Sequence, residues 1–229
     1  MSRILGINGS PRKNGNTATL LRRALDGAES KGAETELIHL YDLDFKGCIS
    51  CFACKRAGIE RPTRCVVKDG LSSILTKFDD ADAIVIGSPI YIGDFTSSTR
   101  AFVERLTFPN VSYEKESHSY FNKKISVGII CTMGAHHDRI KEAGFDKAPE
   151  VLEFVLKRVF GSAETIISAD TTQFDDYSKY AASRFDPAHK KKSETNFLRR
   201  TCRAHTTWGD ASRKQTYNDH FINNASRKR

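Results

Sequence analysis

Short apolar runs and amphipathic stretches alternate along the first 168 residues. Arg3–Asn8 (RILGIN) is an apolar run that stops at a Gly/Ser/Pro/Asn loop, the pattern of a buried strand. From Thr17 to about Ser30, Leu20, Leu21, Ala24, Leu25 and Ala28 form a helical stripe, with Asn16 or Thr17 placed to cap it. Glu34–Leu40 reads as a second strand and Leu71–Phe78 as a short helix. Ala83–Gly87 (AIVIG) is continuously apolar, as expected of a parallel strand covered on both faces, and Ser88–Gly93 reads as the loop after it. Thr96–Leu106 is helical, residues 107–123 have no clear period, and Ile125–Cys131 is a fourth strand. Pro149–Phe160 is a strongly amphipathic helix, and Glu164–Ser168 a fifth, shorter strand. Strands alternating with helices in this way predict an α/β fold with a doubly wound parallel sheet. In such sheets ligands bind beyond the carboxyl ends of the strands, so the loops after the first, third and fourth strands are where chemistry is expected.

Composition narrows this picture. A chain of 229 residues with a 39% hydrophobic share suits one α/β domain with an appendage. No apolar run reaches the ~18–20 residues of a membrane span, and the opening MSRILGINGS has no signal-like stretch; a cytoplasmic protein without membrane association is expected. The net charge of +8 invites a nucleic-acid reading, but its distribution opposes one. Eleven Lys/Arg and four Asp/Glu fall from Asp186 onward, a net of +7, so residues 1–185 carry only +1. The chain therefore divides into a domain over 1–185 and a basic tail over 186–229, and no nucleic-acid partner is expected. The tail reads as solvated or partly disordered. Back-translating Asn196–Gly209 with one choice of codons and shifting the frame gives a sequence of helical polarity, the trace a frameshift would leave.

Gly9-Ser10-Pro11-Arg12-Lys13-Asn14-Gly15-Asn16-Thr17 joins a strand to a helix N-terminus. Free N–H groups and the helix dipole favour an anion there. Ser10, Asn16 and Thr17 add neutral donors, and Arg12 a forked charged one. The loop matches neither the dinucleotide fingerprint nor the nucleotide-hydrolase loop, and suits a single phosphate monoester.

Together with Gly47–Cys54, Asp69 and Gly87-Ser88-Pro89-Ile90-Tyr91-Ile92-Gly93, this loop resembles the NAD(P)H-dependent FMN reductases, and within them the iron–sulfur flavoproteins, over residues 3 to about 185. The resemblance implies a flavodoxin-like five-stranded sheet of order 2-1-3-4-5 with helices on both faces. It implies FMN as cofactor, NAD(P)H as electron donor, and a homodimer or homotetramer. Ser10, Arg12, Asn16, Thr17 and Ala18 would surround the FMN phosphate. Pro89, Ile90, Tyr91, Ile92 and Gly93 would wrap the flavin ring, and Thr132, Met133 and Gly134 would flank it. His136 and His137 follow on the same loop and read as exposed histidines.

Cys48-x-x-Cys51-x-x-Cys54, with Cys65 ten residues further on, is the densest thiol cluster of the chain. Three cysteines at this spacing with a distant fourth can ligate a [4Fe–4S] cluster. Free redox-active thiols and a structural zinc are the other two readings. The last gap is longer than the iron–sulfur flavoprotein pattern. Cys131 ends a strand and reads as packing. The functional expectation is an FMN-dependent oxidoreductase that accepts hydride from NAD(P)H and passes electrons to a flavin, quinone, metal or redox-protein acceptor. The alternative is an iron–sulfur flavoprotein relay with no small-molecule substrate of its own.

Overall fold

The computed structural model describes residues 1–57 and 64–193. Part of the basic insert between Cys54 and Cys65, and the tail from residue 194 with its frameshift signature, lie outside them. Five parallel strands form the sheet: β1 (Arg3–Asn8), β2 (Glu34–His39), β3 (Ala83–Tyr91), β5 (Ile125–Thr132) and β6 (Gly161–Ser168). Their order is β2-β1-β3-β5-β6, and a two-residue strand, β4 (Asp94–Phe95), pairs antiparallel with β3. Counted along the parallel strands alone this is the expected 2-1-3-4-5 order; β4 is the addition. The helices are α1 (Asn16–Glu29), α2 (Ser72–Lys77), α3 (Ser97–Thr107), the short α4 (Arg139–Glu142) and α5 (Lys147–Phe160). A last helix, α6, covers 187–193 within the described residues.

Alternation along each strand divides the sheet between two layers. Leu5, Ile7, Ile84, Ile86, Val127 and Ile129 face one side, where Ile74 and Leu75 of α2, Phe102 and Leu106 of α3, and Leu152 and Leu156 of α5 bury them. Val85 and Ile130 face the other side and meet Leu20 and Leu21 of α1. Three boundaries differ most from the sequence reading. β6 begins at Gly161, not Glu164, and at eight residues equals β5 rather than being shorter, because its pairing with β5 starts at Ile125 opposite Gly161. α1 starts on Gly15, with no side-chain cap, so neither Asn16 nor Thr17 is its N-cap. β3 runs on through Ser88–Tyr91, where a loop was expected, because the chain reverses only at Ile92-Gly93. Both turn residues have positive φ, 52° and 85°, the requirement of a type I′ hairpin turn.

The opening of the tail is not free in solvent. Helix α6 lies against the domain, and Lys190 within it is 3% exposed.

Candidate functional site

Register aligns the carboxyl ends of three strands. Asn8 of β1 stands opposite Gly87 of β3, and Pro89 of β3 opposite Thr132 of β5. The loop after β1 is fastened at this edge from several directions. Gly9 N–H donates to the Gly87 carbonyl at 2.8 Å, and the Thr96 hydroxyl donates to the Gly9 carbonyl at 2.7 Å. Asn8 closes the turn from inside: Ser10 N–H donates to its Oδ1 at 3.1 Å. Ser10 Oγ in turn accepts from Arg12 N–H at 3.1 Å. Thr17 Oγ1 lies 2.8 Å from Thr132 Oγ1, tying the first turn of α1 to the end of β5.

Of the residues expected at the phosphate, Ser10, Thr17 and Ala18 are buried, Asn16 is half-buried and Arg12 exposed. Arg12 Nη1 donates to the Gln173 carbonyl at 2.6 Å and Asn16 Nδ2 to the Thr172 carbonyl at 2.8 Å. The first turn of α1 has no side-chain cap and no acidic residue. Its leading N–H groups have no partner within the helix, so this end fits an anion in both charge and donor supply. Thr132 and Met133 are buried and Gly134 half-buried on the same edge. Pro89 and Ile90 are half-buried, whereas Tyr91 and Ile92 stand out at the hairpin tip, Ile92 fully exposed.

Sequence reasoning missed the 170–173 segment. It continues the pairing of β5 with β6 past their ends, through Met133 N–H to the Ser168 carbonyl and Thr171 N–H to the Met133 carbonyl. No period marks it, and its contacts run through backbone carbonyls, which leave no trace in side-chain patterns. Asp170 there is held ionised, at about 2. Burial works to raise it, but hydrogen bonds from Lys190, Ser193 and His189 outweigh that.

The cysteines gather at a second candidate site. Cys48, Cys51, Cys54 and Cys65 line one open pocket together with Phe52, Arg105 and Phe108. Ser50 and Phe52, on either side of Cys51, both have positive φ, 55° and 54°. Left-handed conformations cost a non-glycine residue roughly 1–3 kcal/mol each and gather at functional sites. Here they fold the Cys48–Cys54 stretch onto the pocket. The donor type is that of a soft metal group: four thiols line the pocket, ranging from exposed Cys51 to buried Cys54, whose thiol is pushed up by burial. Lys55 clamps the loop from beyond the last of the three, donating to the carbonyls of Phe108, Pro109 and Val111.

Arg105 lies beside the pocket with its side chain wholly buried. Its guanidinium forks onto Asp69, donates to the Lys46 and Val67 carbonyls at 3.1 Å each, and touches the Cys65 thiol. Burial disfavours both charges, but the pairing prevails: Arg105 is pushed up and Asp69 down. A sequence signal for this existed, an arginine three residues after Phe102 and next to Leu106 on the apolar stripe of α3. Helix α3 connects the two sites. The Thr96 cap holds Gly9 at one end, and Glu104 accepts from Cys48 N–H at 3.0 Å near the other, a rise of about 11 Å between Ser97 and Glu104. Cys131 is buried in the main core, where desolvation pushes its thiol far up, in keeping with a packing role.

The chain is similar to iron–sulfur flavoproteins of archaea. It is 39% identical to one from Methanocaldococcus jannaschii over 103 residues, covering 45% of this chain and 51% of that protein. It is 33% identical to one from Archaeoglobus fulgidus over 127 residues, 56% and 60% of the two chains. The matches thus span half to three-fifths of those relatives. Among solved structures, the NAD(P)H:quinone oxidoreductase of Methanothermobacter marburgensis superposes over 94% of this chain and 99% of its own, with a TM-score of 0.64 and 14% identity. The FMN-dependent NADH-azoreductase of Bacillus anthracis, solved with FMN, does so over 90% and 98% at 0.61, also with 14% identity. At that identity these neighbours establish the flavodoxin-like fold. The model of NADPH-dependent FMN reductases matches residues 2–159, which take in all three strand-end loops and the four clustered cysteines, and the chain belongs to that family.

Proposed function

We propose that the crevice at the carboxyl ends of β1, β3 and β5 binds FMN, and that the protein is an oxidoreductase that takes hydride from a reduced nicotinamide. The observation that carries this reading is the uncapped start of α1, set in a loop fastened to the ends of β3 and β5. The donors available to a phosphate are the first-turn amides, the Ser10 and Thr17 hydroxyls, the Asn16 amide and the Arg12 guanidinium. Arg12 and Asn16 now bond the carbonyls of Gln173 and Thr172 and would exchange these for phosphate oxygens. Pro89, Ile90 and Tyr91 on one side, and Thr132, Met133 and Gly134 on the other, form the walls for a flat ring. Bound FMN supplies the hydride and electron chemistry; the protein's part is orientation, electrostatics and exclusion of water. The acceptor is a small oxidant such as a flavin or quinone, or a redox protein. A soluble cytoplasmic homodimer or homotetramer goes with this reading, and no helix of the described residues is long and apolar enough to cross a membrane.

One observation favours a second reading, that of an electron relay. Four cysteines line a single pocket on a loop fixed by Lys55 and Glu104. Cys48, Cys51, Cys54 and Cys65 would then hold an iron–sulfur cluster, with Arg105 beside it offsetting the negative charge of the thiolates. Anaerobic stopped-flow mixing of the FMN-loaded protein with NADH or NADPH tests the first reading. Bleaching of the flavin absorbance at millisecond to second times supports a reductase. Flavin that stays oxidised with both nicotinamides, but takes electrons from a reduced ferredoxin, supports the relay. Failure to bind FMN overturns both.

A further inference from the structure

Beyond the sheet, three side chains with metal-binding chemistry meet. The ribbon that continues β5 and β6 sets Asp170 beside the loop carrying His136, through Asp170 N–H donating to the Ala135 carbonyl at 2.8 Å. Asp170 adopts positive φ, 57°, to make that turn. Helix α6 crosses the ribbon and brings in His189, whose Nε2 lies 2.6 Å from Asp170 Oδ2. The His136 and His189 rings are 5.9 Å apart between centroids. One ligand atom from each of His136, Asp170 and His189 lies within 4.8 Å of the others. Tetrahedral coordination at ~2.0–2.2 Å needs donors about 3–4 Å apart, so small rotations of the two imidazoles suffice.

The surroundings orient the ligands as outer partners do in metal centres. His136 Nδ1 is 3.2 Å from Asp138 Oδ2, a carboxylate contact that helps to orient the imidazole. Lys190 Nζ holds the other oxygen of Asp170, Oδ1, at 2.6 Å and the Gly134 carbonyl at 2.8 Å. That turns Oδ2 toward the histidines. Ser193 Oγ also donates to Oδ2, at 2.6 Å, and occupies one of its two lone-pair directions; His189 Nε2 faces the other, so an ion replaces that hydrogen bond and the Nε2 proton moves to Nδ1 or is released to solvent. Both histidines are exposed, so a fourth position faces solvent.

We infer that His136, Asp170 and His189 form a binding site for a borderline divalent transition ion, Zn2+ being the type, with two imidazoles, one carboxylate and an open fourth position. The site is separate from the cysteine pocket and has a different donor set. Its ion bridges helix α6 to the loop after β5, where Thr132–Gly134 lie. Metal binding there fastens the start of the tail over that loop.

Zn2+ titration followed by calorimetry on the tag-free full-length chain tests this. Cys48, Cys51, Cys54 and Cys65 are replaced together by serine to remove competing thiolates. One saturable equivalent is expected, weakened tenfold or more by either His136→Gln or His189→Gln. Absence of that equivalent in a four-serine chain with native circular dichroism overturns the proposal, as does binding indifferent to both histidine changes. If the four-serine chain does not fold, the wild-type chain and its His136→Gln/His189→Gln double variant are compared instead. The double variant must bind one Zn2+ fewer; equal stoichiometry overturns the proposal.

Discussion

Gly9 offers a sharp test of how the first loop is held. A Cβ built there lies 1.8 Å from Thr99 Oγ1 and 3.1 Å from both Thr99 Cβ and the Gly87 carbonyl oxygen. No left-handed backbone is involved, so the penalty of Gly9→Ala is one of space alone. Thr99 cannot yield freely: it is fully buried, and its hydroxyl bonds that of Thr96 at 2.9 Å. Turning the Thr99 hydroxyl away forfeits that bond, about 1 kcal/mol. Moving the loop away from β3 instead costs about 1–3 kcal/mol, as overpacked cores do. Gly9→Ala should therefore destabilise the protein by about 1–3 kcal/mol, read from urea unfolding of the flavin-free chain. The loop shift should also weaken FMN binding by roughly tenfold per ~1.4 kcal/mol transmitted to the site, read from quenching of FMN fluorescence. Thr99→Ala removes the atom at 1.8 Å, so the double variant should recover about 1 kcal/mol relative to the sum of the single changes. Strict additivity, or a Gly9→Ala protein within ~0.5 kcal/mol of wild type and with unchanged FMN affinity, would refute the packing described.

Further outcomes follow from the same contacts. Arg105→Ala leaves the half-buried Asp69 carboxylate without its charged partner and should cost about 1–3 kcal/mol in urea unfolding, with Asp69→Ala/Arg105→Ala less damaging than the sum of its parts. Asp170 has a folded-state pKa of about 2, below its ordinary 3.8, so its contribution is full above pH ~4 and is lost as pH falls toward 2. Asp170→Asn should flatten the stability profile across that window, as followed by acid unfolding. Ile129→Ala, at a fully buried position on the α2/α3/α5 side of the sheet, should cost about 2–5 kcal/mol in the same urea assay. Lys55→Met removes a clamp on three carbonyls and should speed alkylation of Cys51 and Cys54 in the metal-free protein, measured by mass spectrometry.

The strands and long helices were legible because burial on two faces leaves continuous apolar runs, and burial on one face leaves stripes such as Leu20, Leu21 and Leu25. The extension of β3 was not. Pro89 reads as a strand breaker, yet it sits at the strand's far end. The turn residue Ile92 is among the last that its left-handed backbone would suggest. The strand-end loops announced themselves through glycines, hydroxyls and cysteines. What holds them did not: Thr96 on Gly9, the carbonyls of 172 and 173, and Lys55 on three carbonyls all act across 50 or more residues, and Lys190 reaches Asp170 across 20. His136 read as an exposed loop residue because Asp170 is brought to it by the ribbon beyond β6, and His189 by the crossing of α6.

The central claim, a flavin crevice with a separate cysteine site, is tested most directly by flavin, iron and acid-labile sulfide analysis of protein purified without oxygen, with an absorption spectrum. About one FMN per chain is predicted, and about four irons with matching sulfide where the relay reading holds. Protein that carries no flavin and takes up none on incubation with excess FMN would contradict the account.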